Sequence, residues 1–279
     1  MLDFGNHRKL EQFGDRIVDR PCPAAQKFRP ASPSLWQSAT DRFDTTSKWW
    51  HAHDWTEPTR LRVTKFVMPI LPTPFGHVGV FPEQHVNWHW LESTRPDLDA
   101  SKDPPAGLNL FAYTGASTMA MVASGMAVAH VDAAKPNVLA ARKTAAINGF
   151  SDRPIRYLVD DAAQFAARER RRGRTYHTIV LDPPAYGHAP KGRRRSWRLE
   201  RDLWPLLDDC VALLGRDQFR LLITGHSSNL QPSEIASFLQ QRLTRVGLRP
   251  FDVESGRLKL TDRANRELDA GYFVRCIHA

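Results

Sequence analysis

Cysteine is scarce in this chain: Cys22, Cys210 and Cys276 are the three present in 279 residues, odd in number and far apart. They include no CxxC pair, which excludes a disulfide framework or a cysteine zinc site as the reading, and reduced thiols are expected. Long apolar runs are lacking too. No stretch of about 18 apolar residues offers a membrane-spanning helix, and the opening MLDFGNHRKLEQFGDRIVDR has no apolar segment of the signal-peptide kind. A cytoplasmic protein is therefore expected. Negative charge is in deficit, since 30 Asp and Glu against 39 Lys and Arg leave +9, and the long-range field of such a chain favours a polyanionic partner. No internal repeat or low-complexity tract stands out.

The positive charge is concentrated. RERRRGR (168–174) and KGRRRSWR (191–198) hold nine arginines and one lysine. The first run suits a solvated helix end, where cations meet the C-terminal dipole. The second has a tryptophan interleaved and reads as a loop, so Lys191, Arg193, Arg194, Arg195, Trp197 and Arg198 are candidate nucleic-acid contacts. Tryptophan is concentrated as well: Trp36, Trp49, Trp50, Trp55, Trp88 and Trp90, six of the eight, lie in the first hundred residues among frequent prolines. That composition, with little helical periodicity, predicts a small β-rich accessory region over residues 1–95, either a packed layer or a platform for RNA. The polar, proline-bearing segment 93–107 is the expected joint.

Beyond it, over 96–279, short β-branched or leucine-rich runs alternate with longer amphipathic stretches, the pattern of a βαβ series and a doubly wound, mostly parallel sheet. Strands are predicted near 107–111, 127–131, 155–159, 177–181, 219–224 and 272–277. Helices are predicted near 115–124, 134–147, 161–171, 199–214 and 232–244.

In an open α/β sheet, ligands bind beyond the carboxyl ends of the strands. The first predicted strand runs into FAYTGAST, where Gly115 either lets a turn approach a ligand or serves a plain tight turn; this is not GxGxxG. The second ends in HVDAAK. Asp132 there is spaced to accept ribose hydroxyls, at about 1.5–3 kcal/mol for each charged bond, or to cap the next helix, at about 1 kcal/mol. The third offers Asp160 and Asp161 in LVDDAAQF, again as caps or as partners of an adenine amino group. The fourth ends in LDPPAYG, where Pro183 and Pro184 fix φ and donate no hydrogen bond, leaving carbonyls beside Asp182.

LNLFAYTGAST, HVDAAKPNVLAARKTAAINGF, VDDAAQF, LDPPAYG and WRLERDL, in that order over about residues 107–224, resemble the class I S-adenosylmethionine-dependent methyltransferases, in particular the bacterial 23S ribosomal RNA branch. HVGVFPEQHVNW (77–88) resembles the segment that precedes the catalytic domain there. The resemblance implies a Rossmann-like, seven-stranded α/β methyltransferase sheet with S-adenosylmethionine as cofactor. It implies that Asn109, Phe111, Tyr113, Thr114 and Gly115 surround the methionine part, Asp132 takes the ribose, Asp161 with Ala162 takes the adenine, and Asp182 with Pro183 faces the reacting methyl group. Phe81 and Gln84 close over the cofactor in this reading. Asn109 stands where many relatives carry an acid.

Members of that branch that methylate cytosine C5 need a cysteine to add to the ring. Here the corresponding place reads LLITGHSSNL, with Gly225, His226, Ser227 and Ser228 and no thiol, so covalent C5 chemistry is not expected. His226 is read as structural, with substrate contact as its alternative. What remains is attack by a base nitrogen held in line with the methyl group, since positioning contributes roughly 7–11 kcal/mol. Asp182 and the Pro183 carbonyl would accept both NH groups of an exocyclic amine, whereas a ring nitrogen needs no deprotonation. Tyr186 is the candidate to stack on an extruded base. The expected function is methylation of a base nitrogen in ribosomal RNA, with 23S rRNA as the partner. A small-molecule or protein methyltransferase on the same fold remains open, as does a catalytically silent protein that binds the cofactor or RNA. HAHD (51–54) and the pair His85 and His89 lack a third ligand at convincing spacing, so no metal is expected.

Overall fold

The computed structural model describes residues 1–96, 104–187, 196–227, 229–248 and 251–278. They pack as two units: Met1–His85 with Leu258–Ala270, and Val86–Arg257 with Gly271–Ala279.

The first unit is built on β1 (Asp3–Gly5), β2 (Arg8–Phe13), β3 (Arg16–Pro21), β4 (Asp41–Asp44) and β5 (Lys48–His51), hydrogen-bonded in that order, with a separate pair β6 (Thr59–Arg62) and β7 (Val67–Ile70). Alternation places Leu10, Val18 and Phe43 inside. The tryptophans here are mostly packing elements. Trp36 donates its indole NH to Asp3 (2.8 Å), Trp49 donates to the Thr73 carbonyl (2.6 Å), and Trp55 is buried edge-on to Trp49. Trp50 differs, at 56% exposed. The tip of the C-terminal hairpin belongs to this unit: Leu268 packs with Phe4 and Ala25, and Arg266 bonds Asp3 at 2.6 Å while lying 4.3 Å from the centroid of the Phe4 ring.

The second unit starts with α1 (His85–Ser93), where no helical periodicity is evident in the sequence. It continues through β8 (Ala106–Leu110), α2 (Ala116–Ala123), β9 (Ala127–Asp132), α3 (Lys135–Ile147), β10 (Ile155–Val159), α4 (Ala162–Arg171), β11 (Thr178–Leu181), α5 (Leu199–Ala212), β12 (Phe219–Gly225), α6 (Pro232–Arg245), β13 (Asp252–Thr261) and β14 (Glu267–His278). The sheet order is β10-β9-β8-β11-β12-β14-β13, with β8 to β12 parallel to one another and β14 antiparallel to β12. This is the Rossmann-like α/β sheet that the sequence predicts, completed to seven strands by β13, which the hydrophobic pattern does not reveal.

Local sequence explains the elements. On α5, Leu199, Leu203, Leu206, Leu207 and Cys210 recur on one face and are all buried. The first turns of α3 and α6 carry Pro136 and Pro232, where a missing NH costs nothing, and Gln231 and Glu234 form a reciprocal capping box on α6. The core lies between the sheet and these helices. The strand order reverses at β8 and β11, from which the chain winds outward in both directions, so the crevice for a ligand is expected beyond their carboxyl ends. No helix among the described residues is long and apolar enough to cross a membrane.

Candidate active site

The loop after β8 is strained. Phe111 and Tyr113 have φ of 55° and 48°, and Gly115 has φ of 93°. Bulky side chains avoid this region unless their surroundings hold them there, and such strain gathers at functional sites. Neighbouring backbone supplies the hold: Ala112 NH bonds the Val131 carbonyl at 3.0 Å, and Tyr113 NH bonds Asp132 Oδ2 at 2.8 Å. The glycine has a packing reason, because a Cβ at position 115 would lie 2.9 Å from the Ala141 Cβ of α3.

Asp132 therefore does more than cap a helix. Its Oδ1 accepts from Ala134 NH (2.8 Å) and from the Asn137 side chain (3.1 Å), while Oδ2 accepts Tyr113 NH. A carboxylate offers about four acceptor positions, two on each oxygen. One position on Oδ2 thus stays available to a hydroxyl. Asn109, just ahead of the loop, is buried, and its amide donates to Thr118 Oγ1 (2.9 Å), which in turn meets His130 Nδ1 (2.9 Å). Burial pulls the His130 imidazole down to about 4.

After β10, Asp161 caps α4 by accepting Gln164 NH at 2.9 Å, with Ala162 buried at the first helical position. Asp160 pairs with Arg168. Three of the five arginines of the first run are thus ion-paired, since Arg170 also pairs with Asp209 (2.6 Å) and Arg172 with Glu169 (3.0 Å).

After β11, Asp182 is half-buried and Pro183 buried, while Ala185 and Tyr186 are exposed. Burial pushes the Asp182 carboxyl up, opposed by the His226 charge and by a hydrogen bond from Thr224. The corner is stitched to the start of α5: Leu199 NH bonds the Ala185 carbonyl (3.0 Å) and Gly187 NH bonds the Trp197 carbonyl (3.1 Å). Trp197 is seated as a strut. Its indole NH donates to the Pro184 carbonyl (2.8 Å), and its ring packs 5.1 Å from that of Phe111. The Pro184 carbonyl is therefore not free, contrary to the expectation from the proline pair alone.

Beside this corner lies a cleft of about 330 Å³ lined by Tyr186, Arg198, Glu200, His226, Ser227 and Asn229 among others. Tyr186 is 74% exposed. Glu200 accepts from the Asn229 amide (2.8 Å). None of the three cysteines lines the cleft; Cys210 and Cys276 are buried, and Cys22 belongs to the first unit. Phe81 and Gln84 also belong to the first unit, Phe81 edge-on to His77 and Gln84 buried in a 3-10 turn. Lys191, Arg193, Arg194 and Arg195 lie outside the described residues.

The fold and this rim can be compared with known proteins. A crystal structure of the S-adenosylmethionine-dependent methyltransferase from Agrobacterium tumefaciens superposes with a TM-score of 0.88 at 33% identity, covering 98% of this chain and 88% of that one. The chain belongs to the S-adenosylmethionine-dependent methyltransferases. The methyltransferase is also 32% identical over 149 residues to ribosomal RNA large subunit methyltransferase K/L of Methylococcus capsulatus, covering 53% of this chain and 20% of the relative. It is 27% identical over 129 residues to ribosomal RNA large subunit methyltransferase I of Alteromonas mediterranea, covering 46% of this chain and 31% of the relative. It thus spans a fifth to a third of the length of these curated relatives. No protein-family model matches the chain. The residues present suit the cofactor of the family: the strained loop, the spare acceptor position on Asp132 and the half-buried Asp182 share the carboxyl rim of the sheet.

Proposed function

We propose that the methyltransferase methylates a base nitrogen of ribosomal RNA, with 23S rRNA as its substrate, in the cytoplasm. The observation that carries this reading is the cleft next to Asp182, where an exposed tyrosine and a set of polar side chains meet and no thiol is present. The names of the ribosomal RNA relatives and the net charge of +9 support it.

Bound S-adenosylmethionine supplies an electrophilic methyl group. The chain's own part is then to hold and orient. Asp132 accepts from the ribose, the 111–115 loop surrounds the methionine part, and Asp161 with Ala162 borders the adenine. Tyr186 stacks on a base drawn out of the RNA, a contact worth about 1–3 kcal/mol. Asp182, with the Pro183 carbonyl beside it, accepts hydrogen from the attacking nitrogen and removes the proton that transfer leaves surplus. Arg198, exposed at the cleft and without an ion-pair partner among the described residues, meets a phosphate, together with the arginines before it.

The test incubates the protein with cofactor labelled in its methyl group and RNA from a strain lacking the gene, then identifies the modified nucleoside. Label in one purine or pyrimidine nitrogen of ribosomal RNA is expected. Asp182→Asn is expected to lower transfer by about 10²–10⁴ while cofactor binding persists. Label that enters only a small molecule or a protein would overturn the RNA assignment.

A further inference from the structure

Main chain holds the front of the 111–115 loop, but its exit into α2 is held by side chains. Gly115, the residue ahead of the helix, makes no side-chain cap. Two hydroxyls of the first turn are tied instead. Thr118 Oγ1 bonds to Asn109 and His130, whereas Ser117 Oγ accepts the indole NH of Trp88 at 3.1 Å. Trp88 belongs to α1, which precedes the alternating strands and helices, and it is 2% exposed.

Helix α1 is itself fastened by two arginines. Arg220 of β12 is 1% exposed and has no carboxylate partner among the described residues. It donates to the Leu91 carbonyl (2.7 Å), to Thr94 Oγ1 (3.0 Å) and to Thr178 Oγ1 (3.1 Å). Arg275 of β14 donates to the Val86 carbonyl (3.0 Å) and to the Asn87 side chain (2.7 Å). Arg275 stands level with Leu222, two residues on from Arg220, so both side chains leave the same face of the sheet. Both guanidiniums approach the Trp90 ring, at 5.5 and 5.3 Å from its centroid. A buried cation without a counter-ion is unfavourable, yet one is used here to hold α1 where Trp88 reaches Ser117. Strain of the kind seen at Phe111 and Tyr113 persists only where the surroundings over-determine it. The Trp88–Ser117 bond fixes the helix into which that loop runs.

We propose that Trp88 is a positioning residue for the cofactor: acting through Ser117, it holds the first turn of α2, and with it the 111–115 loop, in the shape that receives the methionine part. The proposal rests on the placement of the methionine part in that loop. An indole NH is a donor only, so the bond sets the position of the turn from outside the pocket. Pre-organisation lowers the ordering cost of binding, so its loss is felt in cofactor affinity and not in the chemical step.

Calorimetry with S-adenosylmethionine on Trp88→Phe, Ser117→Ala and the double variant provides the test, with Asp132→Ala as the control for the rim. Each single variant is expected to bind about threefold to tenfold more weakly, and the double variant no more weakly than either. The rate at saturating cofactor is expected to be unchanged. Losses that multiply in the double variant, or Trp88→Phe binding as the parent does while Asp132→Ala is weakened, overturn the role of Trp88 and leave the rim intact. Should Asp132→Ala also bind as the parent does, the placement of the cofactor falls and this proposal with it. A purely structural role would lower the melting temperature without answering to the cofactor. The indole NH resonance of Trp88, assigned by its loss in Trp88→Phe, is therefore followed by NMR as S-adenosylhomocysteine is added to saturation. It is expected to shift in the parent and to stay in place in Ser117→Ala; an equal shift in the two proteins, or none in the parent, overturns the proposal.

Discussion

The two halves of the active rim are held by different means. On the side proposed for the cofactor, β8, β9 and β10 are parallel, and main chain fixes the loops: Tyr113 NH and Ala134 NH both end on Asp132, and Gln164 NH ends on Asp161. On the side proposed for the acceptor, side chains act on Asp182: Thr224 of β12 hydrogen-bonds it, and the charge of His226, just past that strand, opposes the effect of burial. A cofactor of constant shape tolerates a rim set by backbone. Selecting an acceptor, by contrast, calls for groups that can be changed one at a time.

Acidification should separate the halves most. His130 lies buried near the loop proposed for the cofactor, with its imidazole depressed to about 4 from 6.5, so the unfolded chain takes up a proton before the folded one does. Stability contributed by this residue is complete above about pH 6.5 and lost as pH falls toward about 4, by roughly 3 kcal/mol. Urea unfolding across that window should show a steeper loss in the parent than in His130→Gln; equal slopes would remove His130 as the cause. Asp182 carries the reverse sign, since its raised carboxyl favours the folded state at low pH.

A smaller effect is expected from Asp132→Ala, which removes both the proposed ribose acceptor and the tie to Tyr113. Cofactor affinity measured by calorimetry should fall about 10- to 100-fold, from charged bonds of about 1.5–3 kcal/mol, with RNA binding intact. Smaller again, Tyr186→Ala should weaken RNA binding about tenfold through lost stacking and leave the calorimetric cofactor affinity alone. If either variant weakened both ligands equally, the two halves would not be independent.

Legibility in the sequence follows the same division. Asp132, Asp161 and the 111–115 loop sit in continuous strand-loop-helix patterns, so local periodicity located them, although the positive φ of Phe111 and Tyr113 leaves no mark in composition. Tyr272 reads as one more apolar residue of YFVRC, because the space its ring fills over Gly225 arises only when β12 and β14, far apart along the chain, pair. Trp197 has the composition of an RNA contact, yet its partners Phe111 and Pro184 fix it as a support. Arg170 finds Asp209 only once α4 and α5 pack together. Strand β13 escaped detection because it is an edge strand with Leu258 as its sole buried residue, and polar edges carry little alternation.

The C-terminal hairpin also limits how the molecule can be cut. Because Arg266 closes on Asp3 and Leu268 covers Phe4, the opening eighty-five residues are not a detachable cassette. A single scission after His85 would strand an aspartate buried without its cation and an uncovered phenylalanine. Exchange of this unit between homologous enzymes would have to carry the distal hairpin with it, as a matched pair of segments.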